Sequence, residues 1–448
     1  MRDLAFVAFL LAFIGLGFRR PFLFVLLYAY VDIVSPQRLT YWLLNSVQVS
    51  LIAFMLAFLG WAAADDKRGL TIAPRQALLF LLLIYCGVTT SVADFPLDAL
   101  AKWDWVWKAL IFAIFLPLTL RTKLRIEALA LFMVLCASSI IIVGGVKTLA
   151  SGGGYGVLNL MVSQNNGLYE GSTLAAVAVA TIPVILWLAK YGTIYPPDWR
   201  VRVFAGALIF ACLLIPVGTQ ARTGLICIAV LGVLMLRHTK RRLLYLGLVG
   251  AGLAIAIPNL PASYTARMDT IQGYKADSSA STRIAVWKWT IDYARDHPFG
   301  GGFDAYRGNQ LRINKTSVGG SGGQTDLTNT VEYDQARAYH SAYFEMLGEQ
   351  GYAGLLIWLA IHLGGLFSME RLRARTKKIA GAEWVSGLAG ALLQAHIIYL
   401  VGAVFIGIAF QPFVFMLIGL QIGLSTYARR YVAAPATMRP GKGWAAAQ

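Results

Sequence analysis

Most of this chain consists of unbroken apolar runs, many close to the roughly twenty residues an α-helix needs to cross ~30 Å of hydrocarbon. Continuous runs exclude a transmembrane β-barrel, whose strands alternate apolar and polar residues. They also exclude a soluble fold, because a chain that is 58% hydrophobic with mean hydropathy +0.62 would expose large apolar patches to water. The sequence therefore predicts an all-α polytopic membrane protein. Candidate spans fall at about 4–18, 21–35, 41–63, 76–92, 104–120, 126–146, 171–189, 202–218, 225–237, 242–258, 350–368, 384–403 and 405–427, or about twelve or thirteen in all. The first run, Leu4 to Leu16, has the length of a signal-peptide core. No small-residue cleavage pattern follows it, and Arg19-Arg20-Pro21 leads into more apolar sequence, so it reads as a retained span.

Basic residues between the spans set the orientation. Lys67-Arg68 with Arg75, Arg121-Thr122-Lys123-Leu124-Arg125, Arg237-His238-Thr239-Lys240-Arg241-Arg242 and the run Arg371 to Lys378 should all be cytoplasmic. An even number of spans separates each successive pair, so the assignment is self-consistent. Segments 93–103, 147–170, 218–224 and 258–349 then lie outside. The expected organisation is an N-terminal bundle over 1–257, a periplasmic loop over 258–349 holding the chemistry, C-terminal helices over 350–430 and a disordered cytoplasmic tail over 431–448. The net charge of +17 is thus first an orientation signal, and cations split among short loops do not point to nucleic acid. Cys86, Cys136, Cys212 and Cys227 all lie in apolar runs at no metal-ligand spacing and read as buried free thiols.

The polar residues that carry chemistry gather on the outer side. Arg222 sits in Gly218-Thr219-Gln220-Ala221-Arg222-Thr223-Gly224, a turn with almost no linker on either side. An arginine so near hydrocarbon must face a cavity, an anion or the interface; a snorkelling helix end is the plain alternative. Arg283 opens an expected helix after Asp277-Ser278-Ser279-Ala280-Ser281, with Ile284, Trp287, Ile291 and Ala294 as an apolar stripe. Pro298 and Gly300-Gly301-Gly302 end it. Trp287, one turn from Arg283, is a candidate substrate-side neighbour. His340 stands just before the span expected from near Gln350. His297 closes the loop helix, His238 lies in a basic cluster, and His362 and His396 fall mid-span, where packing is the expected role.

Other segments are plainer. Lys102-Trp103-Asp104-Trp105-Val106-Trp107-Lys108 reads as an interfacial aromatic belt, with sugar stacking as the sharper alternative. Ser151-Gly152-Gly153-Gly154-Tyr155-Gly156 lacks the Lys-Ser/Thr of a nucleotide loop and reads as a flexible outer loop ending near Asn166. Asp326, Glu332 and Asp334 read as loop solvation; no Asp-X-Asp pair on the outer side demands a metal, and no cofactor is expected.

Two guanidiniums and an imidazole form a coherent set. The guanidiniums can clasp phosphate oxygens in fork geometry and stay charged at any relevant pH. They suit a pyrophosphate, both for binding it and for taking up its charge as it leaves. Histidine is the ordinary base for a hydroxyl near pH 7. An outward-facing enzyme with this set can transfer a group from a lipid pyrophosphate to an alcohol.

These motifs, together with His340-Ser341-Ala342-Tyr343-Phe344-Glu345-Met346-Leu347-Gly348-Glu349-Gln350-Gly351, resemble the O-antigen ligase and polymerase family of bacterial inner-membrane glycosyltransferases. Within it the chain looks most like the O-glycosylation ligases associated with exosortase A systems, over about Arg222 to Leu356. The resemblance implies a GT-C-like fold, an undecaprenyl-pyrophosphate glycan donor, Arg222 and Arg283 on its phosphates, and His340 as general base. It also implies a hydroxyl-bearing acceptor (protein, lipid A-core or glycan), surrounding membrane lipid and a periplasmic active site. Asn166 and Pro183 sit where the family often has Asn and Pro, which makes Asn166 a candidate substrate contact. Ala221 stands where the family often has Ser, and Ser341 where many ligases have Asn. The alternatives are a polymerase extending the lipid-linked glycan or, in a different class, a transporter of that glycan.

Overall fold

The computed structural model describes residues 2–44, 46–150, 168–236, 278–319 and 326–432. Within them are fourteen α-helices and one β-hairpin. In chain order the helices are α1 (Arg2–Arg19), α2 (Phe22–Val34), α3 (Pro36–Leu39), α4 (Val49–Ala64), α5 (Pro74–Ser91), α6 (Pro96–Thr119), α7 (Lys123–Ala150), α8 (Gly171–Tyr191), α9 (Trp199–Gly218) and α10 (Arg222–Leu236). After residues 237–277 follow α11 (Ser278–Asp296), strands β1 (Gln310–Gly319) and β2 (Asp326–Gln335), then α12 (Ala342–Thr376), α13 (Glu383–Ala403) and α14 (Pro412–Tyr431). Each expected span is a helix except 242–258, which lies outside the described residues, as do Asn166, Asp277 and nearly all of the 431–448 tail.

Five helices, α7, α8, α9, α12 and α13, are long and apolar enough to cross a membrane, with α2, α4 and α10 shorter but apolar. The protein is a multi-pass, all-α membrane protein. Helices α8 and α14 are buried on nearly every face and form the centre of the bundle. Small residues permit this: Ala176 of α8 lies where a Cβ on Gly402 of α13 would touch it at 2.9 Å. The outer faces of α9 and α12 expose Val203, Phe204, Phe210, Leu356, Leu363 and Phe367, as lipid contact requires. All four cysteines are buried and free.

Several expected boundaries move: the helix read as 104–120 begins earlier, at Pro96, and the one read as 405–427 begins later, at Pro412. The span read as 41–63 starts at Val49 instead, because the Asp3 carboxylate accepts the backbone N–H groups of Tyr41 (3.0 Å) and Trp42 (3.2 Å) and holds that stretch out of the helix. The basic segments around Lys67, Arg121 and Arg430 share one end of the bundle, while Arg237 to Arg242 lies outside the described residues. Arg125 pairs with Asp65, Arg121 donates to Arg68 O at 2.8 Å, and Arg430 donates to Gly69 O. The opposite end carries the polar loop: Asp94 N donates to Gly301 O at 2.9 Å, and Arg307 pairs with Asp98 at 3.0 Å.

The described part of the long loop holds two strands besides the expected helix. β1 and β2 pair antiparallel from Gln310 with Gln335 to Gly319 with Asp326, and β1 packs against α11. Asp326, Glu332 and Asp334 therefore belong to a strand, not to a loosely solvated loop.

Candidate active site

α11 buries Val286, Thr290 and Ala294, spaced four apart, while Ile284 and Ile291 of the expected stripe are exposed. The face turned because the hairpin supplies a partner that helical periodicity alone does not reveal: Leu311 of β1 and Tyr339 pack with Val286. Trp287 lies at the edge of this face. Its indole N–H donates to Tyr339 O at 2.9 Å, and its ring stacks on Phe344 with centroids 4.8 Å apart and planes 8° apart. Trp287 thus fixes the backbone immediately before His340.

His340 is held from several directions and has an accessible side chain. Its backbone adopts φ +48°, the left-handed region that costs a non-glycine residue about 1–3 kcal/mol. Tyr339 on one side is buried, and Ser341 on the other is the N-cap residue of α12. Upstream, buried Asn309 clamps Arg337 by two bonds, Nδ2 to Arg337 O at 2.7 Å and Arg337 N to Oδ1 at 2.9 Å. The strained histidine is thus fixed at both shoulders.

The His340 pKa lies below the ordinary histidine value. Partial burial is the main cause, the charges of Arg283 and Arg337 push the same way, and Glu170 opposes them. The imidazole is accordingly neutral near pH 7, the state in which it accepts a proton. The same interactions put Arg283, His340 and Glu170 in one neighbourhood. Glu170 caps α8 through Ser172 N (3.0 Å) and Thr173 N (2.6 Å). The next residue, Gly171, packs on Thr219: a Cβ there would lie 3.2 Å from Thr219 Cβ. Thr219 belongs to the turn that ends in Arg222, tightened by Gln220 at φ +51° and by Ala221 N donating to Pro216 O at 3.1 Å. Arg222, half-buried, therefore opens α10 at the same end of the bundle as His340.

The two glycine motifs explain each other. Gly300 and Gly351 both have positive φ, and their backbones cross so closely that a Cβ on Gly300 would lie 2.5 Å from Gly351 N. Around the crossing, Gly301 N donates to Gly348 O (3.1 Å), Gly302 N to Glu349 O (2.9 Å) and Tyr352 N to Pro298 O (3.0 Å). Gly351 also breaks α12, so residues 342–350 form a separate first segment and the expected span begins just beyond it.

Sequence reasoning missed a buried ionic cluster beside the crossing. Lys102 Nζ lies 2.7 Å from Glu345 Oε1, 2.7 Å from Glu349 Oε1 and 3.8 Å from Asp304 Oδ1. Its side chain is only 13% exposed, so Lys102 faces these carboxylates inside the protein. Trp103 contributes packing, stacked on Phe303 at 6.3 Å. The available signal was Glu345 and Glu349, two acids four apart in a membrane-adjacent helix, which require a cation. Glu170 was legible only as an acid preceding a span. Among the described residues no cluster of His, Cys, Asp and Glu could hold a metal ion.

Residues 206–359 match the family described as O-antigen ligase, a stretch that includes Arg222, Arg283, Trp287 and His340. The chain carries an O-antigen ligase domain over that stretch. That domain implies a membrane enzyme of the ligase or glycosyltransferase type and a lipid-linked glycan substrate. Residues 1–193, which include Lys102, Asn166 and Glu170, match a family of unknown function, DUF5935. No match was found among curated proteins.

Proposed function

We propose that this enzyme transfers a glycan from undecaprenyl pyrophosphate to an acceptor hydroxyl on the periplasmic face of the inner membrane. His340 takes the hydroxyl proton as the oxygen attacks the anomeric carbon. The bond from that carbon to the pyrophosphate breaks, and the electron pair leaves with the lipid pyrophosphate. Arg222 and Arg283 bind that group and take up its developing charge. A single displacement inverts the anomeric centre. The products are the glycosylated acceptor, undecaprenyl pyrophosphate and a proton on His340 that passes to water. The arginines supply the charge stabilisation, so the step as written uses no metal.

The observation that carries the reading is a neutral, accessible, backbone-strained His340 within electrostatic reach of Arg283, with the Arg222 turn at the same end of the bundle. The periplasmic assignment rests on the basic residues of the opposite end. Asn166 and Trp287 remain proposed neighbours of the substrate, with Trp287 acting first through the Tyr339 backbone. Purified full-length protein, labelled undecaprenyl-pyrophosphate glycan and solubilised host membranes as acceptor source provide the test. Release of undecaprenyl pyrophosphate is expected from the parent and should fall by about 10²–10⁴ in His340→Ala with donor binding retained. Parental release by that variant would remove His340 as base. Glycan movement across reconstituted vesicles without bond change would favour transport.

A further inference from the structure

The first segment of α12, residues 342–350, is short and separately held, because the Gly351 break uncouples it from the rest of the helix. Its tilt must come from lateral contacts. The glycine crossing grips one region of it. Lys102 of α6 grips another, reaching Glu345 and Glu349 one helical turn apart as well as Asp304 of the loop. The contacts continue outward from there: Glu349 Oε1 accepts Asp304 N at 3.0 Å, and Glu345 Oε2 accepts Ala409 N at 3.0 Å. The Lys102 ammonium also lies over the rings of Phe303 (5.5 Å) and Phe410 (5.9 Å). An exposed ion pair would matter little, but removing the cation from a buried cluster leaves carboxylates facing one another.

Building on the reading of His340 as base, we infer that Lys102 is a positioning residue that sets the tilt of residues 342–350 and so aims the His340 imidazole at the reacting hydroxyl. The inference also gives work to the region matched by a family of unknown function: it seats the ligase motif. His340 lies two residues before α12, its preceding carbonyl tied to Trp287, and has little freedom to compensate for a tilt. Misplacement by ~1 Å is enough to cost about a hundredfold in rate.

The test compares Lys102→Met, Lys102→Arg, Lys102→Met/Glu349→Gln and His340→Ala as purified full-length protein. The assay uses undecaprenyl-pyrophosphate glycan, with host membranes as acceptor source, and titrates the donor. Lys102→Met should lower kcat by about 10–100-fold. The KM for donor should stay within about threefold, because ground-state binding is untouched. Lys102→Arg should restore most of kcat. The double variant, relieved of one carboxylate charge, should accumulate like the parent yet keep the kcat deficit. Parental kcat in Lys102→Met, a loss confined to KM, or full recovery in the double variant would each overturn the positioning role. If His340→Ala is inactive while Lys102→Met turns over normally, only this inference fails. If His340→Ala turns over normally, the base assignment fails first.

Discussion

Two sets of histidines occupy this bundle in opposite ways. His340 is accessible, sits on strained backbone and is flanked by arginines. His362 and His396 are fully buried, with Nδ1 of His362 2.7 Å from Nε2 of His396. His396 Nδ1 meets Gln421 Nε2 at 3.0 Å, and Gln421 Oε1 accepts from Arg75 at 2.9 Å. That chain ties α5, α12, α13 and α14 together among packed side chains, with the Trp358 ring tilted 51° against His362 at a centroid distance of 4.0 Å. On the proposed mechanism, the difference separates a residue that meets a substrate from residues that hold helices together. Side-chain chemistry alone does not distinguish them; accessibility, strain and neighbouring charge do.

The comparison can be broken in order of effect. His340→Ala should cost the most, about 10²–10⁴ in turnover, with an unchanged melting temperature. Parental turnover would put His340 in the same class as the buried pair. Arg283→Lys keeps the charge but loses the fork, and about 10–100-fold in kcat/KM is expected, in line with the worth of a charge-assisted hydrogen bond. Full activity would show that a point charge suffices. Trp287→Phe retains the stack on Phe344 but loses the bond to Tyr339 O, which at about 1 kcal/mol should cost a few-fold in kcat.

His396→Leu should leave kcat per folded molecule unchanged and lower stability by about 1 kcal/mol, read as a lower melting temperature in detergent. A kcat loss there would make the buried network part of the reaction. Glu170→Gln is the subtlest variant. The Glu170 charge raises the His340 pKa against burial and the arginines, so its removal should shift the acid limb of the rate profile to lower pH. In the parent that limb should already lie below the ordinary histidine value, since a depressed pKa keeps the base unprotonated further into acid. A limb that moves upward, or not at all, would mean that Glu170 acts only as the α8 cap.

Legibility followed the range of the interactions. The helices were readable because twenty apolar residues in a row admit little else in lipid, and the late start at Val49 came from a carboxylate thirty-eight residues from Tyr41. Arg222, Arg283 and His340 were readable as charged or titratable groups at outer boundaries. The strand pair was missed although Thr316, Val318, Thr328, Thr330 and Val331 flank a glycine-rich stretch of sequence, because strand pairing is decided between segments. The rotated face of α11 followed from that omission.

From its sequence alone the chain could become only a helical membrane protein with a polar loop on the side opposite its basic clusters, because hydrocarbon thickness and charge asymmetry act on local sequence. Tertiary structure alone decided that Gly300 meets Gly351, that Lys102 answers Glu345 and Glu349, and that Trp287 braces His340. These contacts join residues tens to hundreds of positions apart, and such pairings are selected by complementary shape and charge, which no local pattern encodes.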